Sequence, residues 1–109
     1  MITVTVVREQ GTVVGFTVSG HANRGAYGED LVCAAVSAVV QTAILGIREV
    51  LNISAGVSIQ EGQTFCILEQ GVTPKATERA AIVFDTMLLG LKSIQASYPR
   101  TLKFRNKEV

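Results

Sequence analysis

One histidine, His21, stands twelve positions before Cys33, the first of two cysteines, in the segment SGHANRGAYGEDLVCAAVS over 19–37. An imidazole and a thiol form a compact nucleophilic unit. The ring nitrogen accepts the thiol proton, and the thiolate attacks a carbonyl carbon. A cysteine with an ordinary pKa of about 8.5 is made more acidic by an imidazolium or by the amide-rich end of a helix. Asp30 is a preferred N-cap residue type, and the spacing predicts a helix opening there, with Cys33 as its third residue. Cys33 would then have both the helix end and His21, and the free N–H groups around it are candidates for an oxyanion hole.

Asp30 acts in two opposed directions: its charge near the sulfur raises the thiol pKa, whereas a hydrogen bond to His21 orients the ring and favours the imidazolium. The sequence leaves that choice open. Gly20, Gly25 and Gly28, with Ala22 and Ala26, predict a pliable loop of about ten residues joining the pair, able to close over a bound substrate. Tyr27 and Arg24 are its larger groups and candidates for touching that substrate. Cys66 alternates with Phe65 and Ile67 in a strand pattern and has no histidine to share, so it reads as core filling. Ser37 lies one turn after Cys33 on the same helix face, either supporting the site or bonded to a carbonyl one turn back. One His and two Cys fall short of the four ligands usual in a structural zinc site, so neither metal nor other cofactor is expected.

Positioning the pair falls to a short chain of elements. Residues 2–8, ITVTVVR, alternate Ile2, Val4 and Val6, and TVVGFTVS alternates Val14, Phe16 and Val18, which predicts a hairpin turned at Gly11. From Asp30 to Leu51 the chain reads as a helix, apolar around much of its girth and therefore expected to be deeply buried. VSIQEGQTFCILEQ divides at Gly62 into a second hairpin. Thr73-Pro74 is a cap and first-turn pair for a second helix, in which Ala80, Ala81, Phe84, Met87, Leu88, Leu91 and Ile94 recur at three and four; Pro99 ends it. The tail RTLKFRNKEV is expected either to add an edge strand or to fray. The order ββαββα predicts an α/β protein of the α+β type: a two-layer sandwich, its mainly antiparallel four-stranded sheet carrying two helices on one face.

The 109 residues suit one domain, 1–109, and 48% hydrophobic with 17% charged residues argues for an ordered core. Ten Lys and Arg against nine Asp and Glu leave a net charge of +1, too small to draw nucleic acid or an anionic membrane by overall field. The first residues, MITVTVVREQ, lack the features of a secretory signal, and the cytoplasm is the expected compartment. The uncharged run Leu31–Ile47 is seventeen residues with Ser37, Gln41 and Thr42 inside it, short of a membrane span and better read as a core helix.

The block SGHANRGAYGEDLVCAAVSAV resembles the signature of the ribosomal-processing cysteine proteases, the Prp family: Gly-His-Ala, a glycine-containing loop, then Gly-x-Asp-(Ile/Leu)-Val-Cys-Ala. Length, element order and the TMLLGL helix fit as well, so the resemblance covers essentially the whole chain. It implies Cys33 as nucleophile, His21 as its base and Asp30 in a supporting role. It also implies a substrate, the N-terminal extension of large-subunit ribosomal protein twenty-seven, and a homodimer. Leu31, in place of the more usual isoleucine, and Asn23-Arg24-Gly25 depart from the pattern where substrate fit rather than chemistry is concerned.

Two alternatives stand beside this expectation. One is a non-catalytic ribosome-associated module binding ribosomal protein or RNA, with Arg100, Lys103, Arg105 and Lys107 giving the tail its basic character. The other is a thiol sensor using Cys33 and Cys66, against which the absence of a Cys-x-x-Cys motif counts.

Overall fold

The computed structural model describes residues 1–20 and 26–109, and of 26–30 the main chain alone. The elements are β1 (Ile2–Glu9), β2 (Thr12–Ser19), α1 (Ala26–Leu45), β3 (Ala55–Gln60), β4 (Gln63–Leu68), α2 (Pro74–Ser97) and β5 (Leu102–Glu108). A single π-helical turn, Gly46–Val50, continues α1. The strands form one sheet in the order β3-β4-β2-β1-β5.

Both predicted hairpins form. Between β1 and β2, Gln10 and Gly11 have φ of 51° and 83°, the paired positive values that let a two-residue turn follow the sheet's twist. Alternation then decides the faces. Val4 pairs with Val18 and Val6 with Phe16, while Phe16 pairs in turn with Cys66. Residues directly opposite share a face, so this apolar row lies under the helices. Phe16 meets Phe84 of α2 edge to face with centroids 5.9 Å apart. Such a pair adds about 1 kcal/mol beyond the burial of its area.

The sheet has five strands, not four. The tail forms β5, which runs parallel to β1 with Ile2 opposite Leu102 and Val4 opposite Phe104. Leu102 is buried and Phe104 packs against the core, so the alternating apolar residues tie the tail down. Each helix lies in a crossover between parallel strands, α1 from β2 to β3 and α2 from β4 to β5, and both contribute to one core with the sheet.

Helix α2 begins as its sequence predicts. The Thr73 hydroxyl accepts from the Ala76 amide at 3.1 Å, Pro74 occupies the first turn, and Ala80, Phe84, Met87, Leu88 and Leu91 are buried.

Helix α1 departs from expectation at its start and in its burial. It begins at Ala26, so Asp30 is inside the helix rather than its cap. Ala26, Tyr27 and Glu29 accept helical angles, and Gly28 in the first turn forfeits no bond because the first four amides of a helix have no partner in it. Only one side is in the core: Val32, Val36, Val40, Ala43 and Ile44 are buried, whereas Leu31 and Leu45 are more than half exposed. In a two-layer arrangement the outer side of a helix has nothing to pack against.

Candidate active site

Cys33 is the eighth residue of α1, two turns from its start. Two expectations fall with the new boundary. The field of a helix end fades within the first turn, and an amide this far along bonds within its own helix. The helix end therefore does not serve the sulfur as predicted, nor is the Cys33 amide free for an oxyanion hole. His21, Arg24 and Gly25 lie outside the described residues, as does the closing motion expected of their loop. Tyr27, Gly28 and Asp30 are placed in α1 by their main chain, and their side chains also lie outside what is described.

Cys33 itself is half-buried and lines a cleft of about 480 Å³. One wall is α1, through Cys33, Ser37 and Gln41. The floor is the helix-side face of the sheet, through Ile2, Val18 and Thr64. The far wall is Ile59 with the β3–β4 turn, Gln60 to Gln63. Strand register explains this floor: Val18 pairs with Thr64, and Thr64 pairs with Ile59. These three form one row that runs out from under α1, which leaves Ile59 at 51% exposure on the face that buries Phe16 and Cys66 completely.

Gly20, the residue before His21, lines the same cleft. Its amide donates to the Gly62 carbonyl at 3.0 Å, which ties the end of β2 to the β3–β4 turn. Gly20 has φ of +91°, and a Cβ there would come within 2.5 Å of the Met1 carbonyl oxygen. Only glycine fits without displacement.

Cys66 is fully buried on the core face of β4. Burial pushes its thiol up to about 11, against a smaller opposing pull from Arg48. This is the environment of an inert core cysteine, as its sequence pattern implies. Among the described residues, no group of three His, Cys, Asp or Glu side chains is placed to hold a metal ion.

A second groove, of about 570 Å³, lies on the outer side of the helix layer between α1 and α2. Ala38, Val39, Thr42, Ile82, Val83 and Thr86 are among its lining, and among the described residues it holds none of the predicted site residues. Sequence reasoning picked out Gly20, Cys33 and Ser37 of the cleft but not Gln41, Ile59 or the β3–β4 turn as part of it. Gln41 was within reach, since it follows Cys33 by eight residues, two helical turns and a little more.

A half-buried thiol in an open cleft agrees with nucleophilic chemistry. The family model for cysteine protease Prp matches residues 1–103. The chain belongs to the Prp family. It is accordingly a cysteine protease, and the non-catalytic alternative gives way. A Prp relative, the ribosomal processing cysteine protease Prp of Bacillus subtilis (strain 168), is 29% identical over 106 residues, covering 94% of this chain and 95% of the relative. The Prp fold is matched by the crystal structure of the essential ribosomal processing protease Prp from S. aureus in complex with a covalently linked product peptide. That match has a TM-score of 0.81 and 26% identity, and covers 98% of this chain and all of the other. The same S. aureus Prp with a substrate peptide gives a TM-score of 0.81 at 25% identity, covering 98% of this chain and 100% of that one.

Proposed function

We propose that this protease is a ribosomal-processing endopeptidase in which His21 takes the proton of the Cys33 thiol, and that its substrate is the N-terminal extension of large-subunit ribosomal protein twenty-seven. The thiolate attacks the scissile carbonyl, the imidazolium returns the proton to the leaving amine, and water then hydrolyses the thioester. Asp30 assists the pair, and Gly20, Gly25, Tyr27 and Gly28 belong to the segment that receives the peptide.

One observation carries the reading: the Cys33 thiol opens into a cleft whose rim includes Gly20, the residue joined to His21. The peptide-bound structures of the S. aureus relative support a peptide as the occupant.

The test is incubation with the extended ribosomal protein. A single defined cut is expected, and Cys33→Ala and His21→Ala should each lower kcat/KM by about a thousandfold or more with the folded state retained. A Cys33→Ala variant that still turns over ends the assignment.

A homodimer working in the cytoplasm, without membrane or nucleic acid as partner, completes the proposal. The uncharged outer groove supports self-association, because Leu45 on α1 and Ile82 and Leu89 on α2 expose apolar side chains beside it. Val32, Val36 and Val40 commit the inner side of α1 to the protein's own core, which speaks against a membrane role.

A further inference from the structure

Cys33, Ser37 and Gln41 stand four residues apart on α1 and all line the cleft. Four residues are 400° of helix, so each step turns only 40° and the three side chains make one slowly winding row. At 1.5 Å per residue, Ser37 is about 6 Å and Gln41 about 12 Å along the axis from Cys33. An extended peptide advances about 3.3 Å per residue, so a chain lying along this wall passes Gln41 three to four residues from the carbonyl at Cys33.

The chemistry of the cleft suits a main chain. A glutamine amide offers an acceptor and two donors, the complement of a peptide C=O and N–H. The Gln41 amide has no hydrogen-bond partner among the described residues. Gln95, by contrast, is committed to the Leu102 carbonyl at 2.9 Å, and Thr42, beside Gln41, bonds back to the Ala38 carbonyl at 2.6 Å. Glu61 is the one charged side chain among the described residues of the cleft. The described side chains of the α1 wall therefore offer neutral hydrogen bonds.

We propose that Gln41 is a substrate-positioning residue, holding the main chain of an extended peptide three to four residues from the bond cut at Cys33. The inference rests on Cys33 as nucleophile and adds a ruler to it: the enzyme recognises length and extended conformation on one side of the scissile bond, whatever the side chains there.

Gln41→Met keeps the bulk and removes the hydrogen bonds. On a peptide with at least five residues on each side of the cut, Gln41→Met should raise KM about tenfold, the roughly 1.4 kcal/mol of one hydrogen bond, with kcat within about twofold. Gln41→Glu, which keeps an acceptor, should recover part of the loss. Peptides shortened to two residues on one particular side should bring the wild-type KM up to that of the variant and erase the difference, whereas shortening the other side should not. Equal KM values for the wild type and Gln41→Met on the long peptide would overturn the proposal, as would a difference that survives shortening on both sides. Binding of the same peptides to Cys33→Ala, with and without Gln41→Met, repeats the comparison without turnover. Cleavage that needs Cys33 but ignores Gln41 sinks the ruler alone; cleavage that ignores Cys33 sinks the nucleophile.

Discussion

The two cysteines show how far residue type determines behaviour and how far surroundings do. Cys66 occupies the centre of a row between Phe16 and Val57 and has no accessible surface, whereas Cys33 faces an open cleft. A thiol-reactive probe at pH 8 should therefore label one thiol per folded chain, with Cys33→Ala reducing that to none and denaturant restoring access to Cys66. Labelling of Cys66 in the folded protein would contradict the packing. Its thiol also leaves a mark on stability. With its pKa moved from 9.0 to about 11, the folded chain keeps a proton that the unfolded chain has released, so stability falls as pH rises through 9 toward 11, by about 2–3 kcal/mol in full. Urea midpoints between pH 8 and 10.5 should show that decline in the wild type and lose this part of it in Cys66→Ala. The inert role of Cys66 was legible in its alternation with Phe65 and Ile67. The activation of Cys33 by a helix end, expected from the sequence, is lost, because Asp30's preference for capping is weaker than the tendency of a helix to continue through Ala26, Tyr27 and Glu29.

Elements join at Gly20, where β2 ends, the β3–β4 turn is hydrogen-bonded, and the cleft begins. Gly20→Ala should lower the melting temperature and reduce kcat/KM for the extended ribosomal substrate at least tenfold, because the new methyl group must displace the Met1 carbonyl or move Gly20 away from its hydrogen bond to the turn. Gly11→Ala is the matched control. Its φ is also positive, at +83°, but nothing lies within 4 Å of the added carbon, so it should cost about 1 kcal/mol of stability and leave activity unchanged. Equal activity losses in the two would show that backbone strain, not the cleft, is responsible. The hairpins and α2 could be read from sequence because turn residues, a cap and regular apolar spacing all pointed the same way. The cleft's far wall could not, since Ile59 and Cys33 are brought together only by the placement of α1 over the β2–β4–β3 row.

Across the whole molecule, apolar side chains on the outer surface of the helix layer concentrate on α1 and α2. Leu89 is 69% and Ile82 68% exposed, a costly arrangement for a surface left in water. In the proposed dimer this surface is covered, so Leu89→Asp should shift the sedimenting species to the mass of one chain, while Lys103→Asp on β5, away from the groove, should leave the wild-type species in place. A wild-type chain that sediments as a monomer at micromolar concentration would remove the dimer. The layered class followed from element order, but the fifth strand was legible only as one of two outcomes for the tail: Leu102 and Phe104 alternate as in a strand, while its partner, β1, lies a hundred residues away in the chain.

That distant partnership sets a timetable. During translation β1, β2 and both helices emerge while one flank of the growing sheet still waits for residues 102–108. Until they arrive, the backbone of β1 on that side offers itself to any stray strand, a period of exposure to misassembly. Native structure rich in so remote a pairing assembles slowly. A nascent chain stalled before residue 102 should thus be captured readily by chaperones and digested by added protease, and release of the remaining segment should end both.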